Sequence, residues 1–258
     1  MRILFIADIV GTPGRKAVEE RLPSLLEELE VDFCVANGEN VADGVGITPK
    51  LADRLLAAGV DAITLGNHVW RRIEIVPYLT GSDRVVRPAN LGKAAPGKGL
   101  AVVTARTGTK VAVLNVMGSL FIDVPVSMWE VVDDLVAEAR REAQVVFVDV
   151  HAEATSEKVA LAQWLDGKVT AVIGTHTHVQ TNDPRVLPGG TAALSDAGMT
   201  GPHSSVIGVR SELAIKRMRT GMPVRFETAA DDVRIEGALV ECDADGRASA
   251  CTTIRVPV

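Results

Sequence analysis

Aromatic residues make up only 3% of this 258-residue chain, so its core must be built from Val, Leu, Ile and Ala, within a hydrophobic fraction of 47%. Only three cysteines are present. Cys34 sits in an apolar run and reads as core, while Cys242 and Cys251 flank Asp243-Ala-Asp-Gly246, which reads as a hairpin turn. With those four residues as the loop, Cys242 pairs with Arg247, so no disulfide is expected. No cysteine spacing suits a thiolate metal site, and the usage fits a reducing compartment. Long apolar runs are missing as well. Val111 to Trp129 comes nearest to the roughly 18 residues that span a bilayer, but Asn115 and Asp123 interrupt it. The N-terminal run is too short for a signal segment and ends in Asp8, so the expected location is the cytoplasm, with no membrane partner. Clusters of Lys and Arg are also absent, and the net charge is −6 with a pI near 5.4. An acidic shell argues against stable binding of long nucleic acid. There is no repeat, low-complexity segment or linker, and Pro96-Gly97-Lys98-Gly99 reads as a loop. Residues 1–258 therefore read as a single domain, long enough to bury a core without disulfides or structural metals.

What the chain does have is a set of hydrophobic runs that each end in metal-binding residue types. Arg2 to Ala7 ends at Asp8, Asp32 to Gly38 at Glu39 and Asn40, Asp61 to Gly66 at Asn67 and His68, Val145 to Val150 at His151, and Val169 to Gly174 at Thr175-His176-Thr177-His178. Such β-branched runs read as buried strands, and parallel α/β sheets bind ligands outside the carboxyl ends of their strands. The first third alternates strand and helix: strands at 2–8, 31–37 and 60–65, helices after Thr12-Pro13, over Lys50 to Ala58 and near 72–79. Thr12 and Thr48, each followed by Pro, read as N-caps. A hairpin is expected at Thr107-Gly108-Thr109, and the capping-box spacing of Ser127 and Glu130 precedes a helix reaching Ala143. Strands at 145–150 and 169–173 enclose a helix near 156–166. A helix follows over Ser211 to Arg219, ending in the solvated Lys216-Arg-Met-Arg219, and three antiparallel strands are expected in Pro223 to Val256. The pattern gives two mixed sheets flanked by helices, an α/β class.

Each motif has a bland reading beside the chemical one. In an extended segment His176 and His178 point to one face and address one location, though polar loop histidines also follow buried strands. Gly66-Asn67 is a common turn pair, and a lone His151 is often structural. Asp8 could cap a helix, and His203 reads as a loop residue that could line a pocket. The combination is stronger than its parts, because most of the chain's histidines fall at strand ends together with Asp8, Glu39 and Asn67. Carboxylates, an amide and imidazoles without thiolate suit two divalent ions of intermediate hardness, with Glu39 as the best bridging candidate.

The series Asp8, Gly38-Glu39-Asn40, Gly66-Asn67-His68, His151 and Thr175-His176-Thr177-His178 resembles the calcineurin-like metallophosphoesterase superfamily. That pattern usually opens with Asp-x-His, whereas Asp8-Ile9-Val10 lacks the His, and Glu39 stands where a bridging Asp is usual. These departures resemble one bacterial branch, the YmdB-like phosphodiesterases. Asn37-Gly-Glu-Asn40, His151-Ala-Glu-Ala-Thr-Ser-Glu157, Gly174-Thr-His-Thr-His-Val179 and Gly198-Met-Thr-Gly-Pro202 extend the resemblance to nearly the whole chain.

The resemblance implies a four-layer αββα sandwich. It implies one metal held by Asp8, Glu39, Asn40 and His178, with Asn40 replacing the missing His, and a second held by Glu39, Asn67, His151 and His176. The implied metals are iron or manganese, with His68 as general acid. The implied reaction is hydrolysis of small phosphodiesters such as cyclic mononucleotides, 2′,3′-cyclic and 3′,5′-cyclic, by a hydroxide shared between ions roughly 4 Å apart. Substrate-binding residues stay unassigned, and a homo-oligomer is left open. Two alternatives remain. One is a phosphomonoesterase or nucleotidase on the same site. The other is a low-turnover nucleotide-binding regulatory protein, against which the complete ligand set argues.

Overall fold

Ile3 and Phe5 point to one side of the first strand and Leu4 and Ile6 to the other, and all four are fully buried. A strand, with its period of two, buries both sets only when both of its faces are covered. The computed structural model describes residues 1–258 and shows what covers them. The first third runs β1 (Arg2–Ile6), β2 (Asp8–Ile9), α1 (Gly11–Glu28), β3 (Phe33–Asn37), α2 (Pro49–Ala57), β4 (Ala62–Thr64), α3 (Ile75–Gly81) and β5 (Val85–Val86). The middle runs β6 (Leu100–Thr104), β7 (Lys110–Met117), α4 (Val132–Glu142), β8 (Val145–His151), α5 (Thr155–Trp164) and β9 (Ala171–Thr175). The remainder runs β10 (Arg185–Val186), β11 (Ala192–Leu194), β12 (Met199–Pro202), α6 (Ser211–Thr220), β13 (Val233–Cys242) and β14 (Ala248–Pro257).

One sheet has the order β2-β12-β13-β1-β3-β4-β5 with β14 beside β13, and the other β10-β11-β9-β8-β7-β6. β1, β3, β4 and β5 are parallel, as are β7, β8, β9 and β11. β13 runs antiparallel to β1, β12 and β14, so the first sheet is mixed. Between the sheets, Ile3, Phe5 and Val35 meet Val113, Phe147 and Ile173. The rings of Phe5 and Phe147 approach to 5.2 Å. On the outer faces Leu4 and Ile6 pack with Leu22 and Leu55 from α1 and α2, while Leu114 and Val148 pack with Val136 and Leu161 from α4 and α5. The result is a four-layer αββα sandwich of the calcineurin-like phosphoesterase kind. Each large apolar side chain buried this way contributes about 1.5–3 kcal/mol. No helix is long and apolar enough to cross a membrane.

Several sequence expectations change in detail. Thr48 caps α2 as expected, its hydroxyl accepting from Leu51 N at 3.3 Å. Thr12 does not cap α1. Gly11, at φ +61°, turns the chain early, and the capping position falls on Val10 with no side-chain bond. The close approach of α1 to β12 requires Gly14, where a Cβ would sit 2.2 Å from Thr200 O. The tail holds two strands and not three. Pro223 to Asp232 stay out of the sheet, with only an isolated bridge from Val209 to Thr228. A bulge at Glu241/Cys242 places Cys242 opposite Ala248 and not Arg247, and Cys251 opposite Val240. All three cysteines are free.

Candidate metal centre

The strand order brings the expected residues to one edge of the sandwich. Asp8 sits in β2, Glu39 and Asn40 follow β3, Asn67 and His68 follow β4, His151 ends β8, and His176 and His178 follow β9. The ligand atoms of Glu39, His151 and His176 lie within 4.8 Å of one another. Asn67 Oδ1 lies 3.0 Å from His151 Nε2, which is 3.3 Å from Glu39 Oε1. On the other side of Glu39, Asn40 Nδ2 is 3.0 Å from Glu39 Oε1 and 3.1 Å from His178 Nε2. His178 Nε2 in turn is 3.9 Å from Asp8 Oδ1. Asp8 Oδ2 accepts from His176 N at 3.1 Å. His68 reaches the cluster through Nδ1, 2.7 Å from Asn40 Oδ1, and through its backbone N–H on Glu39 Oε2 at 3.0 Å. Glu39 therefore touches both halves of the cluster.

The ring nitrogens show what the cluster is built to do. A carbonyl or carboxylate oxygen can only accept, so the partner of each ring nitrogen fixes where the proton sits. His178 Nδ1 donates to Ile207 O at 3.0 Å, leaving Nε2 facing inward. His176 Nε2 lies 3.1 Å from Glu153 Oε2, with Nδ1 facing inward. His151 Nδ1 bonds Thr175 Oγ1 at 2.9 Å, and that hydroxyl donates to Asp149 Oδ1 at 2.7 Å, so Nε2 faces inward. Outer acceptors that fix the tautomer of an inward nitrogen are the usual support of metal-binding histidines.

Charge and space agree with a cation at this position. Asp8 Oδ1 is buried without any hydrogen-bond partner. Burial raises the Asp8 pKa against the pull of His178 and His151. Burial would also raise Glu39, but the charge and hydrogen bond of His151, helped by His68, hold it well below the usual carboxylate range. Burial would lower His151, but Glu39 and Asp8 push it up to about 9. Burial and the neighbouring His151 charge push His176 down to about 3. A divalent ion facing His151 Nε2 would take the place of a proton there. Gly66 supplies the room, since a Cβ there would fall 2.3 Å from His151 Nε2 and 2.4 Å from Glu39 Oε2. An all-nitrogen-and-oxygen donor set with an orphaned carboxylate oxygen fits divalent metal ions.

Two expectations about the local backbone do not hold. His176 and His178 are not on an extended segment, because their φ angles are +101° and +62°. Asn67 and His68 lie in a turn after β4. The sequence reading also missed the supports Asp149, Glu153 and Thr175. Asp149 carried a signal, being an acid inside the apolar run 145–150, buried and accepting from Asn37 at 3.0 Å and from Thr64. Burial raises its pKa to about 6. His203 lines a cavity of about 250 Å³ that it shares with His178, Glu236 and Arg255.

Comparison with known proteins follows the same lines. The family model for YmdB-like proteins matches residues 4–254. A Bacillus subtilis protein named 2′,3′-cyclic-nucleotide 2′-phosphodiesterase is 45% identical over 243 residues, 94% of this chain and 92% of that protein. A crystal structure of a hypothetical protein from Thermus thermophilus superposes with a TM-score of 0.93 at 40% identity, covering 100% of this chain and 99% of the other. A crystal structure described as a novel phosphatase from Mycoplasma pneumoniae gives 0.92 at 31% identity, covering 100% and 93%.

Proposed function

Since this chain belongs to the YmdB-like branch of the calcineurin-like metallophosphoesterases, we propose that it is a metal-dependent phosphodiesterase that hydrolyses cyclic nucleotides, 2′,3′-cyclic and also 3′,5′-cyclic. The observation that carries the reading is the set of inward nitrogens and oxygens around Glu39, with Asp8 Oδ1 left unpartnered among them. Asp8, Glu39, Asn40 and His178 would hold one ion, and Glu39, Asn67, His151 and His176 the other, with iron or manganese suited to both. Two such ions would screen the negative charge of the phosphate and lower the pKa of water enough to make a nucleophile at neutral pH.

The remaining chemistry belongs to the chain. Glu39 keeps its charge in a fully buried position because His151 and His68 face it, so it can serve both ions at once. Asn40 turns Nδ2 toward His178 and Oδ1 toward His68. Oxygen ligation requires that amide to turn over, which needs no extra space. His68 Nδ1 also lies 3.2 Å from Glu39 Oε1, a carboxylate oxygen that can only accept, so this nitrogen keeps its proton. His68 is a quarter exposed, so the doubly protonated ring would present Nε2–H to the leaving ribose oxygen as general acid and be left as neutral imidazole.

Small substrates suit the site better than polymers, because the chain is acidic overall. A panel of 2′,3′- and 3′,5′-cyclic mononucleotides, phosphomonoesters and duplex DNA, run on manganese-loaded protein, tests the proposal. Cleavage of the cyclic nucleotides and not of the duplex is expected. Turnover confined to monoesters points to a phosphatase, and processive DNA digestion overturns the reading.

A further inference from the structure

The two metal-facing imidazoles that follow β9 sit on backbone that resists them. His176 and His178 both have left-handed φ angles, +101° and +62°. A non-glycine residue in that region persists only where its surroundings over-determine it. Thr177, between them, shows what does so. Its N–H donates to Asp196 Oδ2 at 3.1 Å and its hydroxyl donates to the same oxygen at 2.8 Å. The other carboxylate oxygen accepts from Gly198 N at 2.9 Å. The exit of the turn is tied to the same residue, since Thr181 N donates to Asp196 O at 3.1 Å.

Asp196 is itself fixed. Lys158 of α5 donates to Asp196 Oδ2 at 2.7 Å, and both side chains are 2% exposed. A buried ion pair is worth little to stability compared with an apolar pair of the same shape, so its presence asks for another reason. The local sequence is shaped to admit it. At Gly174 a Cβ would fall 1.8 Å from Ser195 O and 2.7 Å from Lys158 Cδ. Gly174 therefore lets the 195–198 segment and the lysine stem close against the end of β9.

We propose that Asp196, locked by Lys158, is a positioning residue that holds the strained His176-Thr177-His178 turn so that both imidazoles aim into the metal centre. Neither residue touches the cluster directly. This rests on the metal reading of that centre. It assigns the motif Ser195-Asp-Ala-Gly198 and the buried Lys158 to metal affinity.

Mn²⁺ titration into metal-free protein, with electron paramagnetic resonance of the bound ion and circular dichroism of the fold, tests this on wild type and three variants. Asp196→Asn keeps the side-chain shape and is expected to weaken Mn²⁺ binding about 10- to 100-fold and to change the resonance of the bound ion. Thr177→Val removes one hydroxyl bond and is expected to weaken binding about 2- to 10-fold. Asp166→Asn is the control. Asp166 anchors Gly189 N at 2.8 Å, beyond the amino end of β9 and away from the cluster. It should lower the melting temperature and leave Mn²⁺ affinity unchanged. If Asp196→Asn does not fold, Thr177→Val decides. Wild-type affinity in the folded Asp196→Asn and Thr177→Val proteins overturns the inference, as does an equal loss in Asp166→Asn. A wild-type protein that binds no Mn²⁺ overturns the metal reading beneath it.

Discussion

His151 Nε2 and His176 Nδ1 lie 3.1 Å apart, with the two ring planes at 77°. Only one proton fits between them, and burial together with the neighbouring His151 charge pushes His176 down to about 3. The proton therefore belongs to His151, which keeps it through the charge of Glu39. A divalent ion in the same place would satisfy both nitrogens, Glu39 and Asn67 together. The residues of the edge are arranged for a cation larger than a proton.

Glu39→Gln tests which carboxylate is shared. Glu39 Oε1 lies 3.3 Å from His151 Nε2 and 3.0 Å from Asn40 Nδ2, so it borders both halves. Glu39→Gln is expected to lose tight binding of both ions, and Asp8→Asn mainly of one. Elemental analysis reads the result, and two tightly held ions in Glu39→Gln contradict a bridging role.

Gly66→Ala asks whether the space at the centre is needed. The added methyl would press on His151 Nε2 and Glu39 Oε2 at 2.3 and 2.4 Å. The expected result is a folded protein with less than the wild-type metal content and little activity. Gly81→Ala, whose Cβ meets nothing within 4 Å, should keep both. Equal metal content in the two variants counts against this packing argument.

His68→Ala separates an acid from a ligand. An acid contributes about 10²–10⁴-fold in rate, so the variant should keep both ions and lose kcat by that factor on a cyclic nucleotide. On a nitrophenyl ester, whose leaving group hardly needs a proton, the loss should shrink. Loss of metal together with equal defects on both substrates shows His68 to be a ligand.

Thr175→Val keeps the volume and breaks the relay from Asp149 to His151. The ring then loses the partner that fixes its outer nitrogen, and such a change typically costs about 10–100-fold in metal affinity. Calorimetric titration with Mn²⁺ measures this, and wild-type affinity removes Thr175 from the account.

Much of the site was legible because its signal is local. An apolar β-branched run followed at once by Asp8, Glu39, Asn67, His151 or His176 states both the strand and its ligand-bearing end. The supports were less legible because they are set by tertiary contacts. Glu153 and Asp196 look like ordinary loop acids until β8, β9 and the 195–198 segment are side by side. The left-handed backbone at His176 and His178 has no sequence signature, since neither residue is glycine, and an extended reading of that stretch was the natural one. Pro223-Val-Arg-Phe-Glu-Thr228 has strand-like composition but gains no ladder partner, so the expected third tail strand does not form. Thr64, at the end of β4, reads only as part of a buried strand, and Asn37, at the end of β3, only as the first residue of Asn37-Gly-Glu-Asn40, yet both bond Asp149 in the opposite sheet.

The most direct test of the central claim is hydrolysis of 2′,3′-cyclic AMP by metal-free and metal-loaded protein, with metal content measured on the same samples. The account predicts no detectable turnover after chelation, recovery with Mn²⁺ or Fe²⁺, and activity that rises to its maximum as two ions bind per chain. Full turnover by rigorously metal-free protein would contradict it.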